Sequence, residues 1–439
     1  MILLRVFFVV FLFVCLSGAP PAFGADLLSK FHPYISVKGE YNDNLDLTPT
    51  NKKEDYLTTV QPGIKFNNMD KMSGIDLNYS LAAVFYNKYS DLNYIGHNGQ
   101  LNAKYLTSAG LNFYLNESFI RSDEPREQEY YTTTADYRVL ETRDATFYIT
   151  DYRYVLATRT ERNTYWRNVV TPTIEYQFGP ENRVGVHYRN NIYESEAPWG
   201  QDSREDYVNP FFSYWFDKRN GIYLEYGYTL GDFDRAPDLT GHRANARYTN
   251  RFSQKSSAFA EYTYLRRTFD DAPTRDYDVH EPNVGLTFTI TPTLTASVQA
   301  GYFWMEPEVG SKKGGLSYKG ELANIDPRTT FRLSVQGGYT EDYFTSENLG
   351  FNRYHRVTGY VNHKPAQRVS VGCFGGVEWV EYDSPTHKDT IWNVGGRASY
   401  MPLKWLTLAL EVSHRDRSSD INVYDYTENR GMFTITAMY

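Results

Sequence analysis

Residues 428–439 read E-N-R-G-M-F-T-I-T-A-M-Y, and the chain ends there. Gly431, Phe433, Ile435, Ala437 and Tyr439 share one parity; Arg430, Thr434 and Thr436 share the other. Successive strand side chains point to opposite faces, so this stretch is a strand with one apolar and one polar face. Alternation kept up to the last residue implies pairing there, because termini not tied into a sheet fray. Two architectures fit: an edge strand of a soluble sandwich, or the closing strand of a membrane barrel.

Composition narrows the choice. The 439 residues are 41% hydrophobic and 16% aromatic, with 39 Tyr, and the mean hydropathy is negative. A helical span needs about 20 consecutive apolar residues, and past the N-terminus no such run occurs. Abundant Tyr suits interfacial belts, where one end of the ring is apolar and the other wet. Residues 1–24 read as a signal peptide: Arg5 supplies the charge, residues 6–16 the apolar core, and Ala22-Phe23-Gly24 the cleavage site. A lipoprotein reading through Cys15 is weaker, since Val14 stands where a small residue is usual. Residues 25–33 follow as a short periplasmic lead. With Cys15 removed only Cys373 remains, so neither an intrachain disulfide nor a Cys-based metal site is expected. A formal net charge of −8 argues against nucleic acid as a partner.

Backwards from the C-terminus, the same alternation recurs at 406–412, 392–400, 369–379, 356–361, 331–339, 316–322, 294–302, 282–290, 258–264, 242–248, 222–230, 208–216, 183–193, 168–178, 111–119, 97–105, 75–86, 56–66 and 34–41. That is about 20 strands, within 18–22, over residues 34–439. Strands of about ten alternating residues are what a tilted bilayer crossing requires. The connections alternate as well. Short turns at 107–110, 179–182, 217–220, 291–293, 326–328, 365–368 and 402–405 interleave with longer polar loops at 194–206, 231–240, 270–278, 305–313 and 417–425. Short periplasmic turns opposite long extracellular loops mark an outer-membrane barrel, and a sandwich has no reason to sort its loops this way. The expected fold is therefore all-β, a transmembrane antiparallel up-and-down β-barrel.

One connection, 121–164, is far longer than the rest and polar. It reads as an extended extracellular loop or a lumen constriction, and residues 145–155 within it have strand character.

If one parity faces lipid, the other lines the lumen. The inward cations on this register are Lys38, Lys65, Lys104, Arg183, Arg189, Arg243, Arg247, Lys319, Arg332, Arg356, Arg397 and Arg430. The inward acids are Glu40, Asp76, Glu175, Glu225, Glu261, Glu281, Glu321, Glu378 and Glu411. Such groups sit in water or pair with one another. They form either mutually neutralising ladders or a basic lining that attracts anionic solutes. Phe433, Ile435 and Tyr439 are the closure and insertion candidates, expected to meet Ile35 and Val37 of the first strand.

Chemistry motifs are sparse. His97 and His242 fall on the lipid parity and His187 in the lumen, none with triad spacing. There is no His-Glu-x-x-His and no phosphate-cradling Gly-rich loop, so neither a cofactor nor a metal is expected. The chain reads as a non-enzyme, with an outer-membrane hydrolase as the minor alternative.

The opening residues Glu40-Tyr41-Asn42-Asp43-Asn44, Leu45-Asp46-Leu47-Thr48-Pro49-Thr50 and Asp55-Tyr56-Leu57-Thr58-Thr59-Val60-Gln61-Pro62-Gly63-Ile64 resemble the putative β-barrel porin type 2 family. The terminal aromatic likewise resembles the closing strand of bacterial outer-membrane barrels, which the barrel-insertion machinery reads; Tyr439 stands where Phe or Trp is more usual. The resemblance implies an outer-membrane channel and, for some members, exopolysaccharide export. The expectation is a porin-like channel for hydrophilic or anionic solutes, or a polysaccharide conduit, exported through a cleaved signal peptide and embedded in outer-membrane lipid. The alternative is a surface structural or adhesive barrel whose lumen is closed by 121–164. The Asn42-Asp43-Asn44 run reads as a solvated rim turn rather than a Ca²⁺ loop.

Overall fold

The computed structural model describes residues 29–123, 139–142, 145–148, 163–197, 200–344, 350–383 and 386–439. The signal-peptide reading lies outside them, as does most of the 121–164 connection. In chain order the strands are β1 (Phe31–Asn42), β2 (Asp55–Met69), β3 (Ser73–Tyr86), β4 (Tyr94–Leu106), β5 (Leu111–Ser122), β6 (Val139–Thr142) and β7 (Ala145–Tyr148). Next come β8 (Tyr165–Gln177), β9 (Arg183–Ser195), β10 (Ser203–Trp215), β11 (Asn220–Phe233), β12 (Leu239–Asn250), β13 (Ser256–Phe269), β14 (Tyr277–Thr289) and β15 (Leu294–Pro307). The last are β16 (Lys313–Ile325), β17 (Thr329–Asp342), β18 (Gly350–Ala366), β19 (Val369–Asp383), β20 (Thr386–Leu403), β21 (Leu406–Ser419) and β22 (Tyr426–Met438).

All but β6 and β7 form one 20-stranded sheet in which each strand pairs antiparallel with the next, β5 passing directly to β8. The sheet closes on itself: β1 pairs with β22 from Tyr34↔Met438 to Asn42↔Arg430, with Val37 opposite Ile435. The N–H of Tyr439 donates to the Pro33 carbonyl at 2.9 Å. Closure leaves no row of unpaired backbone groups at an edge, the condition for crossing a bilayer with strands. β6 and β7 pair only with each other. The extra strand read at 145–155 thus adds nothing to the wall over 145–148, and residues 149–155 lie outside the described residues.

The distribution of polarity is inverted relative to a soluble protein, and this decides between sandwich and barrel. Ile35, Val37, Ile64, Leu224, Val284, Val298, Leu410, Val412, Phe433 and Ile435 are exposed, while Ser80, Thr173, Asn209, Asn245, Thr263 and Asn283 are buried. The exposed residues form the outer wall, and the alternate residues line the interior.

The strands run further than apolar alternation shows. Pairing between β11 and β12 continues to Gly231↔Leu239, which leaves 234–238 as the connection where alternation placed 231–240. Beyond the apolar band both faces meet water, so the pattern fades while backbone pairing continues. A strand of 13 residues, such as β8, spans about 43 Å and, tilted about 40°, rises about 33 Å, more than an apolar band of about 25 Å. The barrel therefore carries a polar collar beyond that band, on the side of the longer connections.

Candidate functional site

The inner face is a set of acid–base pairs between neighbouring strands. Arg430 meets Glu40 at 2.8 Å, and Lys38 shares that carboxylate at 2.9 Å. Arg189–Glu205 (2.5 Å), Arg247–Glu261 (2.8 Å), Arg356–Glu378 (2.5 Å) and Arg417–Asp389 (2.6 Å) repeat the pattern round the wall. Looser contacts join Arg332 to Glu321 (3.8 Å), Arg183 to Glu175 (4.0 Å) and Arg397 to Glu411 (4.0 Å). These pairs follow from register, since Arg247 stands opposite Glu261 and Arg356 opposite Glu378. Carboxylates and guanidiniums brought face to face across a ladder neutralise each other and keep their hydration demand local.

The other inward candidates take different roles. Lys65 lies over the Tyr34 ring at 5.6 Å, Tyr34 itself donating to Asn78. Glu225 accepts from Tyr223, and Glu281 accepts from Asn283 and Ser317. Asp76 accepts from Asn67. Arg243 and Lys319 line the central cavity, and Lys104 is half-buried on the inner parity of β4. His187 packs flat on Phe211 inside, 4.6 Å between ring centres, with Thr173 on its Nδ1. Glu411 is the loosely held partner named above.

The element that shapes the lumen is one the sequence did not mark. Pairing between β16 and β17 stops at Tyr318↔Gly337, whereas β17 and β18 stay paired to Asp342↔Gly350. At Gly338 the backbone φ is +157°, a conformation side chains rarely adopt. Past this point β17 leaves the wall, and its parity turns inward. Tyr339, Glu341, Tyr343 and Phe344 cross to the inner faces of β11–β15. There Tyr339 meets Phe303 at 5.1 Å, Phe344 stacks on Phe233 at 5.3 Å, and Tyr343 packs with Leu239, Leu265 and Phe269. Arg267 clasps Glu341 with two bonds of 2.9 and 2.7 Å, and the Tyr277 hydroxyl donates to the same carboxylate and meets that of Tyr343 at 2.9 Å. Beside this arm lies a cavity of about 810 Å³, lined by cations, carboxylates and the rings of Tyr354, Tyr360 and Phe374.

A third feature corrects the reading of the first connection. Asn42, Asn44, Leu45 and Asp55 are fully buried, so this is not a solvated turn. Asn42 donates to Glu428, Asn44 to the Thr427 carbonyl, and the Asn429 side chain to Asp43, which ties 42–44 across the β1–β22 seam. Asp55 accepts the N–H groups of Tyr56, Lys88 and Tyr89 and so joins the first two connections of this end. The carboxylates are spent on amide donors, and no metal-ligating cluster occurs among the described residues.

Residues 226–439 match the model of a family described as putative beta-barrel porin 2. This is the family expected from the first two strands, though the match falls on the other half of the chain. Among solved structures, the FrpB iron transporter from Neisseria meningitidis aligns with TM-score 0.53 and 9% identity, covering 94% of this chain and 83% of that one. The siderophore receptor PirA from Pseudomonas aeruginosa aligns with TM-score 0.51 and 6% identity over 93% and 80%. The outer membrane protein OpdK from Pseudomonas aeruginosa aligns with TM-score 0.42 and 9% identity over 94% and 100%. At such identities FrpB and PirA show a shared barrel fold and nothing more. No curated protein matches the chain.

Proposed function

We propose that this porin-like barrel, whose residues 226–439 carry the beta-barrel porin 2 match, is a passive, non-enzymatic channel for hydrophilic solutes across a bacterial outer membrane. The observation that carries the reading is the combination of an apolar outer wall with a charged, paired inner one around the cavity beside the arm. Such a lining conducts small polar solutes with weak charge preference, because fixed charges in ladders cancel at short range. What anion preference remains comes from the loosely held cations Lys65, Lys104, Arg183 and Arg397. Outer-membrane lipid surrounds the wall, and Phe433, Ile435 and Tyr439 are the residues the insertion machinery reads.

A polysaccharide conduit is the narrower reading. It is supported by Tyr360 and Phe374, which stand opposite each other across β18 and β19 and border the cavity, where flat rings suit sugar faces. Single-channel recording in planar bilayers tests both. Steady ohmic conductance with weak anion selectivity supports the channel, and slowed or blocked conductance on adding an exopolysaccharide supports the conduit. An intact, inserted barrel that conducts nothing would favour a closed surface protein, and cation selectivity would remove the anion preference.

A further inference from the structure

The outer wall carries a recurring pair of residues that conduction does not use. On adjacent strands, Tyr79 meets His97 at 2.7 Å, Tyr226 meets His242 at 2.6 Å and Tyr262 meets His280 at 2.6 Å, each hydroxyl on the imidazole Nδ1. A fourth pair, Tyr318 and His355 at 2.9 Å, meets across β17 over Gly337, where an added Cβ would crowd both rings. All eight residues share the parity of the exposed apolar wall. The geometry repeats closely: ring centres of Tyr226–His242 and Tyr262–His280 are 6.1 and 6.2 Å apart, and those of Tyr228–His242 and Tyr264–His280 are both 5.2 Å.

Their height is defined by their neighbours. Along β14 the outward residues toward the short-turn end from His280 are Pro282, Val284 and Leu286, and toward the other end Asp278. On β14 the pair therefore marks the upper limit of the apolar band. On the other strands one or two further outward apolar side chains, Phe85 and Ile95, Leu230 or Leu316, stand between the pair and the strand end, so all four pairs lie within one or two outward steps of the level of lipid headgroups. A phenol is a stronger donor than a neutral imidazole N–H, so Nδ1 accepts and the ring proton is held on Nε2, free to serve a partner beyond the wall.

Each of these histidines has a guanidinium within one register step on the same face. His97 stands opposite Arg121 and His242 opposite Arg266. Arg266 also neighbours His280 diagonally, and Arg353 precedes His355 by two residues. These guanidiniums are 34 to 50% exposed, and each has a carboxylate beside it: Glu196 at 3.2 Å, Asp278 at 3.9 Å, which also neighbours His280 on the outer face of β14, and Glu381 at 2.9 Å. An imidazole N–H beside a forked guanidinium at headgroup level is a donor set for a phosphate monoester.

We propose that these His–Arg doublets bind the phosphate groups of outer-leaflet phosphoglycolipid. They fix the height of the barrel and hold a shell of such lipid against β4–β5, β11–β15 and β16–β18. The inference rests on the outer-membrane reading but not on conduction. The test is native mass spectrometry of the full barrel in detergent, titrated with bisphosphorylated lipid A and with the same lipid after enzymatic removal of its phosphates. Phosphorylated lipid binds more tightly by about tenfold, the scale of one or two charge-assisted hydrogen bonds. His97→Phe, His242→Phe, His280→Phe and His355→Phe combined abolish the difference while the heat-modifiable gel shift of a folded barrel is kept. Should the combined variant fail to fold, His242→Phe with His280→Phe alone reduces it in proportion. Equal binding of the two lipids, or an unchanged preference in a folded variant, overturns the proposal. A barrel that keeps the lipid preference yet passes no current leaves it standing and removes the channel reading instead.

Discussion

Lys313 on β16 and Asp383 on β19 form an ion pair of 2.9 Å although two strands, β17 and β18, lie between theirs in the sheet. The pair forms because the outer part of β17 has left the wall, and a cation and an anion then span the place it vacated. Lower down, where β17 is still paired with β16, Tyr318 and His355 meet over Gly337 because no side chain stands between them. The arm is thus defined twice, by what it reaches inside and by what meets behind it.

The arm's ring contacts are supplemented by one ionic clasp, Arg267–Glu341, and on the proposed channel reading its release widens the lumen. Glu341→Gln removes the charge that Arg267 needs, at a cost on the order of 3 kcal/mol for a buried pair broken on one side. The expected outcome is larger or flickering single-channel conductance with the barrel still folded. Unchanged conductance with normal folding would show that the arm does not limit flow.

Bending inward depends on Gly338. A Gly338→Val substitution strains the φ of +157°, by about 1–2 kcal/mol, and favours β17 continuing along β16. Conductance rises as for Glu341→Gln, and cysteines placed at Gly315 and Thr340 cross-link only in the Val background.

On the proposed channel reading, the ladders set selectivity by cancellation. Replacing Glu378 with Gln leaves Arg356 with an uncompensated charge; both side chains are about 5% exposed. Reversal potentials under a salt gradient shift toward anions, and the shift shrinks in 1 M salt, where the screening length is about 3 Å. Arg356→Gln shifts them the other way. Identical reversal potentials for both variants would remove these pairs from the conduction path.

Asp55 holds two connections through three backbone donors. Asp55→Ala leaves those N–H groups unpaired beside a fully buried site, and the expected loss is about 2–4 kcal/mol. It is measured as a lower urea midpoint for unfolding from lipid vesicles. Asp55→Asn, which keeps one acceptor oxygen, recovers part of the loss.

The architecture was legible in the sequence because its cause is local. A residue on one face of a wall between lipid and water must be apolar and its neighbour polar, so period-two alternation, strand number and closure by 428–439 are written residue by residue. The pairing of Arg247 with Glu261 or Arg356 with Glu378 was legible only as inventory, since register decides which acid meets which base. The seam clasp was misread as a loose turn because Asn and Asp are turn formers as well as buried donors and acceptors, and the partners Thr427, Glu428 and Asn429 lie at the far end of the chain. The Tyr–His pairs do leave a signal, the repeated E-Y-x-Y of 225–228 and 261–264, each followed by a histidine on the next strand.

What the sequence determined by itself is the wall: about twenty strands, within 18–22, whose outward parity is apolar and whose inward parity is charged, fixed by the two solvents on either side. What only the tertiary structure decided is the interior. Among the described residues, the ends of β17 and β18 enter the lumen, although their residues alternate like those of any other strand. They turn inward because Arg267, Tyr277 and Phe303, distant in sequence, form a surface that Glu341, Tyr343 and Tyr339 fit better than the wall they left.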